Sequence, residues 1–189
     1  MPLPTELARH LTEEKIAFVQ RSGLRAEVLE PGYVRLRMPG AGNENHIGSM
    51  YAGALFTLAE IPGGALFLTS FDSARFYPIV KEMTLRFRRP AKGDIRVEAR
   101  LDAERIRQLE TEAGERGKAE YSLELQLTDE QGEVVAESTA LYQLRSPRAA
   151  LTGRFRRARR RFFLPWIKVR SELRRDSGEA SVAIPRSPP

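Results

Sequence analysis

The sequence predicts an α+β domain in which an antiparallel sheet wraps one central buried helix. Three observations predict it. First, the 27 residues from Asn45 to Phe71 carry one formal charge, Glu60, where a chain that is 30% charged would place about eight. Second, Ala54, Leu55, Phe56, Leu58, Ala59, Ile61, Ala65, Leu66 and Phe67 point in every direction around a helix, and a helix apolar on all sides is a buried one. Third, four strand-like runs follow, at Ile79–Arg88, Ile95–Leu101, Lys118–Thr128 and Val134–Leu144. A chain of 189 residues, 41% hydrophobic, is enough for one domain of ordinary size with a real core.

The elements read in order as follows. Residues 4–22 form a helix with an apolar stripe of Leu7, Leu11, Ile16, Phe18 and Val19, stopped by Gly23. Leu24–Met38 alternates like a strand pair, with a turn at Pro31-Gly32. Pro39-Gly40-Ala41-Gly42 is a loop. Ser49 caps the apolar helix, and Pro62 with Gly63-Gly64 kinks or breaks it just after Glu60. Turns are marked by Pro90-Ala91-Lys92-Gly93-Asp94 and Asp129-Glu130-Gln131-Gly132. Asp102–Glu115 is polar with helix-forming composition and reads as a surface helix or a long loop. No internal repeat is visible.

Composition excludes several chemistries. The chain has no cysteine, so disulfides, thiolate zinc sites and cysteine nucleophiles are out. Its two histidines, His10 and His46, are too few for a His-rich metal centre, and no metal or cofactor is expected. The N-terminus lacks the basic-then-apolar pattern of a secretion signal. The longest uncharged run, 45–59, is too short and polar to span a bilayer. A soluble, cytoplasmic domain is the expectation. The net charge of +6 is uneven, because residues 146–189 hold 12 basic and 3 acidic residues while 1–145 hold 19 and 22.

A lone carboxylate in an apolar helix is a candidate functional residue, since burying its charge is expensive and desolvation raises its pKa. The competing reading puts Glu60 at a broken helix end, facing water. Asn45-His46-Ile47-Gly48-Ser49 leads into the helix N-terminus, where unpaired N–H groups attract developing negative charge. Small residues at Ala52 and Gly53 let a carbonyl approach that backbone. Ala52 and Glu60 are eight residues apart, roughly 12 Å along one helix. Both touch one reacting carbonyl only if two helices lie antiparallel, so catalysis here requires a dimer.

Asn45-His46-Ile47-Gly48-Ser49-Met50-Tyr51-Ala52-Gly53, followed by an apolar helix reaching Leu58-Ala59-Glu60, resembles the signature of hotdog-fold acyl-CoA thioesterases of the phenylacetate-pathway type. Their pattern is Asn-x-x-Gly-Thr-x-His-Gly-Gly, then an apolar helix ending in Leu-x-Asp or Leu-x-Glu. The similarity spans about residues 15–145 and is nearest to a branch with Tyr-Ala-Gly in place of His-Gly-Gly. The resemblance implies a hotdog domain over 1–145 that hydrolyses an acyl-CoA or acyl-carrier thioester at a dimer interface, with a dimer of dimers as a further assembly. It implies that Glu60 is the general base or nucleophile, that the Ala52 N–H polarises the thioester carbonyl, and that Asn45 positions substrate or water. Gly48, Tyr51 and Gly53 fall in the substrate-binding stretch, Tyr51 replacing the family histidine. The family's Ser or Thr on the next strand falls near Val80, and the adjacent Lys81 is expected to approach Glu60. Two alternatives stay open: a non-catalytic acyl- or lipid-binding hotdog protein, and a 3-hydroxyacyl dehydratase using His46 and Glu60, which are fourteen residues apart. Arg86, Arg88, Arg89 and Lys92 are candidates for coenzyme A phosphates.

Beyond the domain, Leu151, Phe155, Ala158, Phe162, Trp166, Val169 and Leu173 repeat at helical spacing among arginines. Residues 146–176 therefore read as a basic amphipathic helix suited to an anionic membrane surface. Packing on its own dimer, nucleic-acid binding and disorder are the alternatives, nucleic acid being disfavoured. Residues 177–189 read as unstructured.

Overall fold

In a computed structural model that describes residues 1–147, four helices and six strands follow one another along the chain. The expected basic helix and tail lie, beyond Pro147, outside the described residues.

The single helix expected over 4–22 is two, α1 (Thr5–Glu13) and α2 (Ala17–Ser22). Glu13 accounts for the break. Its buried carboxylate accepts from the Ala26 N–H at 2.8 Å and from Arg9 at 3.2 Å, tying the end of α1 to β1 (Arg25–Glu30). The chain turns there, which buries Val19 and leaves Ile16 and Phe18 of the expected stripe exposed. Gly23 ends α2 in the left-handed region, as the sequence predicts. The Pro31-Gly32 turn leads to β2 (Tyr33–Met38).

Next comes α3 (Ala52–Ser70), then β3 (Tyr77–Phe87), β4 (Ile95–Arg100), α4 (Ala103–Arg116), β5 (Lys118–Thr128) and β6 (Val134–Arg145). The segment left open between helix and loop is thus the helix α4, started by Asp102, whose carboxylate accepts from the Arg105 N–H at 2.7 Å. All strand pairs are antiparallel, in the order β1-β2-β4-β5-β6-β3. Along β5 burial alternates strictly, so one sheet face is dry and the other wet. The dry face wraps α3, and Leu58, Ala59, Leu66 and Phe67 of α3 join the same core cluster as Val34, Leu36, Val97, Leu127 and Tyr142 of the strands. β3 lies at the sheet edge with both faces largely exposed.

Two expectations about α3 are corrected. It runs unbroken for 19 residues through Pro62. Pro62 has no N–H to give the Leu58 carbonyl, yet Ile61, Pro62, Gly63, Ala65 and Leu66 are all buried, and packing overrides the local penalty. It also starts two residues later than expected, with Tyr51 and not Ser49 at the N-cap, and no side chain caps it. By length and composition α3 is apolar enough to cross a bilayer (mean hydropathy 1.4), but 67% of that window is buried inside the domain, as in a core helix.

Candidate functional site

The loop before α3 is pinned along its length. Asp94 accepts from the Gly40 N–H at 3.0 Å and pairs with Arg37, and these contacts, the Gly40 bond foremost, hold its carboxyl below the usual range. Asn43 donates to the Ser22 carbonyl at 2.7 Å and the Pro39 carbonyl at 2.9 Å. Met50 N–H donates to the Ala91 carbonyl (2.8 Å) and Tyr51 N–H to the Asn43 carbonyl (2.7 Å).

Asn45 organises the stretch between. Its Oδ1 accepts from the N–H groups of Ile47 (3.0 Å) and Ser49 (3.1 Å), and its own N–H donates to the Ser49 carbonyl (2.7 Å). This closed turn captures the Ser49 backbone, which is why Ser49 does not cap the helix. Gly48 completes the turn at φ 74°, a conformation that a side chain disfavours. Asn45 thus holds the loop through its oxygen.

The consequence is an open helix N-terminus. Tyr51 accepts from the N–H groups of Ala54 (2.9 Å) and Leu55 (3.2 Å) through its carbonyl. Among the described residues the N–H groups of Ala52 and Gly53 have no acceptor. Uncapped N–H groups at the start of a 19-residue helix attract negative charge. The Tyr51 ring lies across this opening, so a Cβ at Gly53 would come to 3.0 Å from Cδ1 and closer still to Cε1.

Glu60 stands two turns further along α3. The helix buries Ala54, Leu55, Leu58, Ala59 and Ile61 but leaves a stripe of Ala52, Gly53, Phe56, Thr57, Glu60 and Gly64 exposed or half-buried. The helix is therefore not buried all round, since Phe56 is 45% exposed. Burial alone raises the Glu60 pKa, and among the described residues its carboxylate has no hydrogen-bond or ion-pair partner. The expected approach of Lys81 is not found. Lys81 donates to Glu120 at 2.7 Å on the wet face of the sheet, because strand alternation sends it to the face opposite Val80, and a bulge between Val80 and Glu82 keeps Glu82 on that face too. Val80 is the cross-strand partner of Tyr142 and so does face the helix.

One chain therefore gathers Asn45, Gly48, Tyr51, Ala52 and Gly53 at the helix start, while Glu60 sits roughly 12 Å along the same helix and Lys81 lies on the opposite sheet face. His46 is exposed in the loop, away from the Glu60 turn, which gives the His46–Glu60 pairing no support within one chain. His10 is a surface residue within 3.0 Å of Glu14. Of the candidate phosphate contacts, Arg88 pairs with Glu137 (2.9 Å) and Arg89 with Glu133 (2.6 Å), while Arg86 and Lys92 are exposed. Clefts of about 380 Å³ along α4 and about 300 Å³ between β4 and β5 are lined by no α3 residue.

Sequence reasoning missed Tyr142. Its hydroxyl donates to the Glu60 carbonyl at 3.1 Å, and its ring fills the notch left by the absent side chain of Gly63, where any Cβ would fall under 3.0 Å from the ring. The ring stacks on Tyr121 (5.4 Å), Tyr121 on Phe71 (6.1 Å) and Phe71 on Phe67 (5.9 Å). Burial first, then the Glu60 charge, push the Tyr142 phenol well above its ordinary range, so it stays a donor. The adjacent Gly63-Gly64 pair was the signal that something approaches α3 closely there.

A solved structure of a protein of unknown function from Pseudomonas aeruginosa, called a probable thioesterase, is 99% identical over 77% of this chain and 98% of its own, with a TM-score of 0.75. A protein of unknown function from Chlorobaculum tepidum is 18% identical over 75% of this chain and 93% of its own, with a TM-score of 0.65. A thioesterase from Haemophilus influenzae is 14% identical over 77% and 93%, with a TM-score of 0.59. The last two likenesses are of fold, and the fold is of the hotdog type. No curated protein matches the chain. The chain belongs to the family described as a domain of unknown function (DUF4442), whose model matches residues 5–143.

Proposed function

We propose that this protein is a thioester hydrolase acting on acyl-CoA or a related acyl-carrier thioester, at a site completed by two copies of the chain. One observation carries the reading: a half-buried carboxylate without a cationic partner shares one uncovered stripe of α3 with the unpaired N–H groups of Ala52 and Gly53. Two antiparallel α3 helices meeting along that stripe bring Glu60 of one copy to Ala52 of the other. The exposed edge strand β3, with Val80 and Phe87 uncovered, supplies the rest of such an interface. The likeness to a probable thioesterase at 99% identity supports the same reading.

In this reading the thioester carbonyl oxygen takes the Ala52 N–H, and negative charge on the tetrahedral intermediate is stabilised there. Glu60 accepts the proton of the attacking water, or attacks the carbonyl carbon itself to form a mixed anhydride that water hydrolyses once the thiolate has left, releasing the acid and restoring the carboxylate. Collapse then breaks the C–S bond, and the thiolate leaves and takes up a proton. A carboxylate with a raised pKa is a stronger base than an ordinary one. Asn45 acts by holding the loop that leaves the helix start open. Tyr51, lying over Gly53, borders the opening and contacts substrate.

The test is thiol release from acyl-CoA substrates of graded chain length, with Glu60→Gln beside the natural protein. Activity in the natural protein and its loss in the variant are expected. Equal rates in both would reject the enzyme reading. Saturable acyl-CoA binding without thiol release would favour the acyl-binding alternative, which the Tyr51 ring across the helix start supports. We further propose that the protein is cytoplasmic and that its basic C-terminal segment contacts anionic membranes. Flotation with anionic vesicles is expected for the full chain and not after removal of residues 148–189, and no difference would reject it.

A further inference from the structure

Glu60 lies where α3 is weakest. Pro62 withholds the N–H that the Leu58 carbonyl would take, and Gly63 and Gly64 are the poorest helix formers after proline. Yet α3 runs straight on. The element that meets it there is β6. Tyr142 enters the notch at Gly63, donates its hydroxyl to the Glu60 carbonyl, and is backed by the ring column of Tyr121, Phe71 and Phe67. Phe67 belongs to α3 and Phe71 follows its last turn, so the column closes back on the helix it supports.

We infer that Tyr142 is a positioning residue for Glu60, fixing the main chain at the weak turn of α3 so that the carboxylate stays half-buried on the uncovered stripe. The inference rests on the proposed role of Glu60 for its kinetic consequence, and on geometry alone for its structural one. Other titratable groups do not offer an equivalent hold. Tyr121 of β5 is buried, but its hydroxyl has no partner among the described residues. Lys81 of β3 is engaged by Glu120 of β5, and Glu82 pairs with Leu141 on the wet face. Tyr121 thus provides a matched control in the same stack.

The experiment compares Tyr142→Phe with Tyr121→Phe in the full chain. Each keeps its ring and loses one buried hydroxyl. The Glu60 carboxylate is followed by carbon NMR across a pH titration, its signal identified by its absence in Glu60→Gln. Burial raises the Glu60 midpoint, so releasing the turn to water lowers it. Tyr142→Phe is expected to bring the midpoint down toward 4.5, the ordinary value, while Tyr121→Phe leaves it in place. With acyl-CoA, Tyr142→Phe is expected to lower kcat about five- to ten-fold with KM within two-fold, the split expected of a misplaced base. An unmoved midpoint in Tyr142→Phe, or an equal shift in Tyr121→Phe, overturns the inference. If the natural protein releases no thiol, the hydrolase reading fails, and the midpoint still decides the role of Tyr142.

Discussion

Replacing Gly63 by alanine tests how tightly β6 grips α3. In an open helix the change would stabilise by about 1 kcal/mol, because glycine is the poorer helix former. Here the new Cβ meets Tyr142 Cε1, Cζ and Oη, all under 3.0 Å. The ring is not a flexible end that swings aside, since it is buried and stacked on Tyr121 at 5.4 Å. Overpacking of a tight core costs about 1–3 kcal/mol, and displacing the ring also costs the Tyr142–Glu60 hydrogen bond, about 1 kcal/mol. Net of the propensity gain, the expectation is a loss of about 1–3 kcal/mol, or a Tm lower by roughly 3–10 °C for a domain of this size. Gly114 is the contrast. It lies in α4, and a Cβ there meets only the end of the Arg75 side chain, at 3.5 Å. Gly114→Ala should therefore raise Tm by about 2 °C through helix propensity alone. Circular dichroism melts of the two variants decide the matter. A Tm for Gly63→Ala equal to or above that of the natural protein would refute the close approach of Tyr142.

Other outcomes follow from the same geometry. Glu60 has a folded pKa above its unfolded one, so its contribution to stability is full below about pH 4.5 and is lost as pH rises through the folded value. Glu60→Gln should thus melt higher than the natural protein at pH 7–8, with the gap closing below pH 4.5, in paired melts across pH. Asn45→Ala removes acceptors for two backbone N–H groups and should cost about 1–2 kcal/mol in urea unfolding, together with a fall in kcat/KM. Glu13→Ala leaves the Ala26 N–H without its acceptor and should cost about 2–3 kcal/mol by the same measurement. Lys81→Ala should leave kcat/KM within about two-fold, because Lys81 points to Glu120 and not to Glu60.

Much of the fold was legible because burial patterns are local. The strict alternation of β5 declares which face is dry, the charge-poor stretch of α3 marks a core helix though not its uncovered stripe, and the strand runs fall within about two residues of the observed elements. What was not legible depends on contacts distant in sequence. Pro62 reads as a helix breaker until Tyr142, eighty residues later, is seen against Gly63. The first helix reads as one until Glu13 is seen to bind the Ala26 N–H. At the candidate site, Glu60 stands out by its lone charge and Ala52 and Gly53 by their size, while Asn45 and Tyr51 enter through the motif's resemblance. Lys81 faces away from Glu60 by the alternation that points its neighbour Val80 at the helix, and the bulge at Val80/Glu82, which leaves Glu82 on the wet face as well, leaves no mark in the sequence.

The central claim is that Glu60 and the Ala52 N–H act on one thioester from two different copies of the chain. Ala52→Pro removes that N–H alone, since proline is well suited to the first position of a helix and Tyr51 already has the extended backbone (ψ 138°) that a following proline requires. Each of Ala52→Pro and Glu60→Gln should abolish thiol release by itself. On the proposed dimer, co-refolding in equal amounts gives mixed dimers with one site carrying both defects and one carrying neither. The account predicts recovery of roughly a quarter of the natural activity. No recovery on mixing, with dimers confirmed by size, would contradict it.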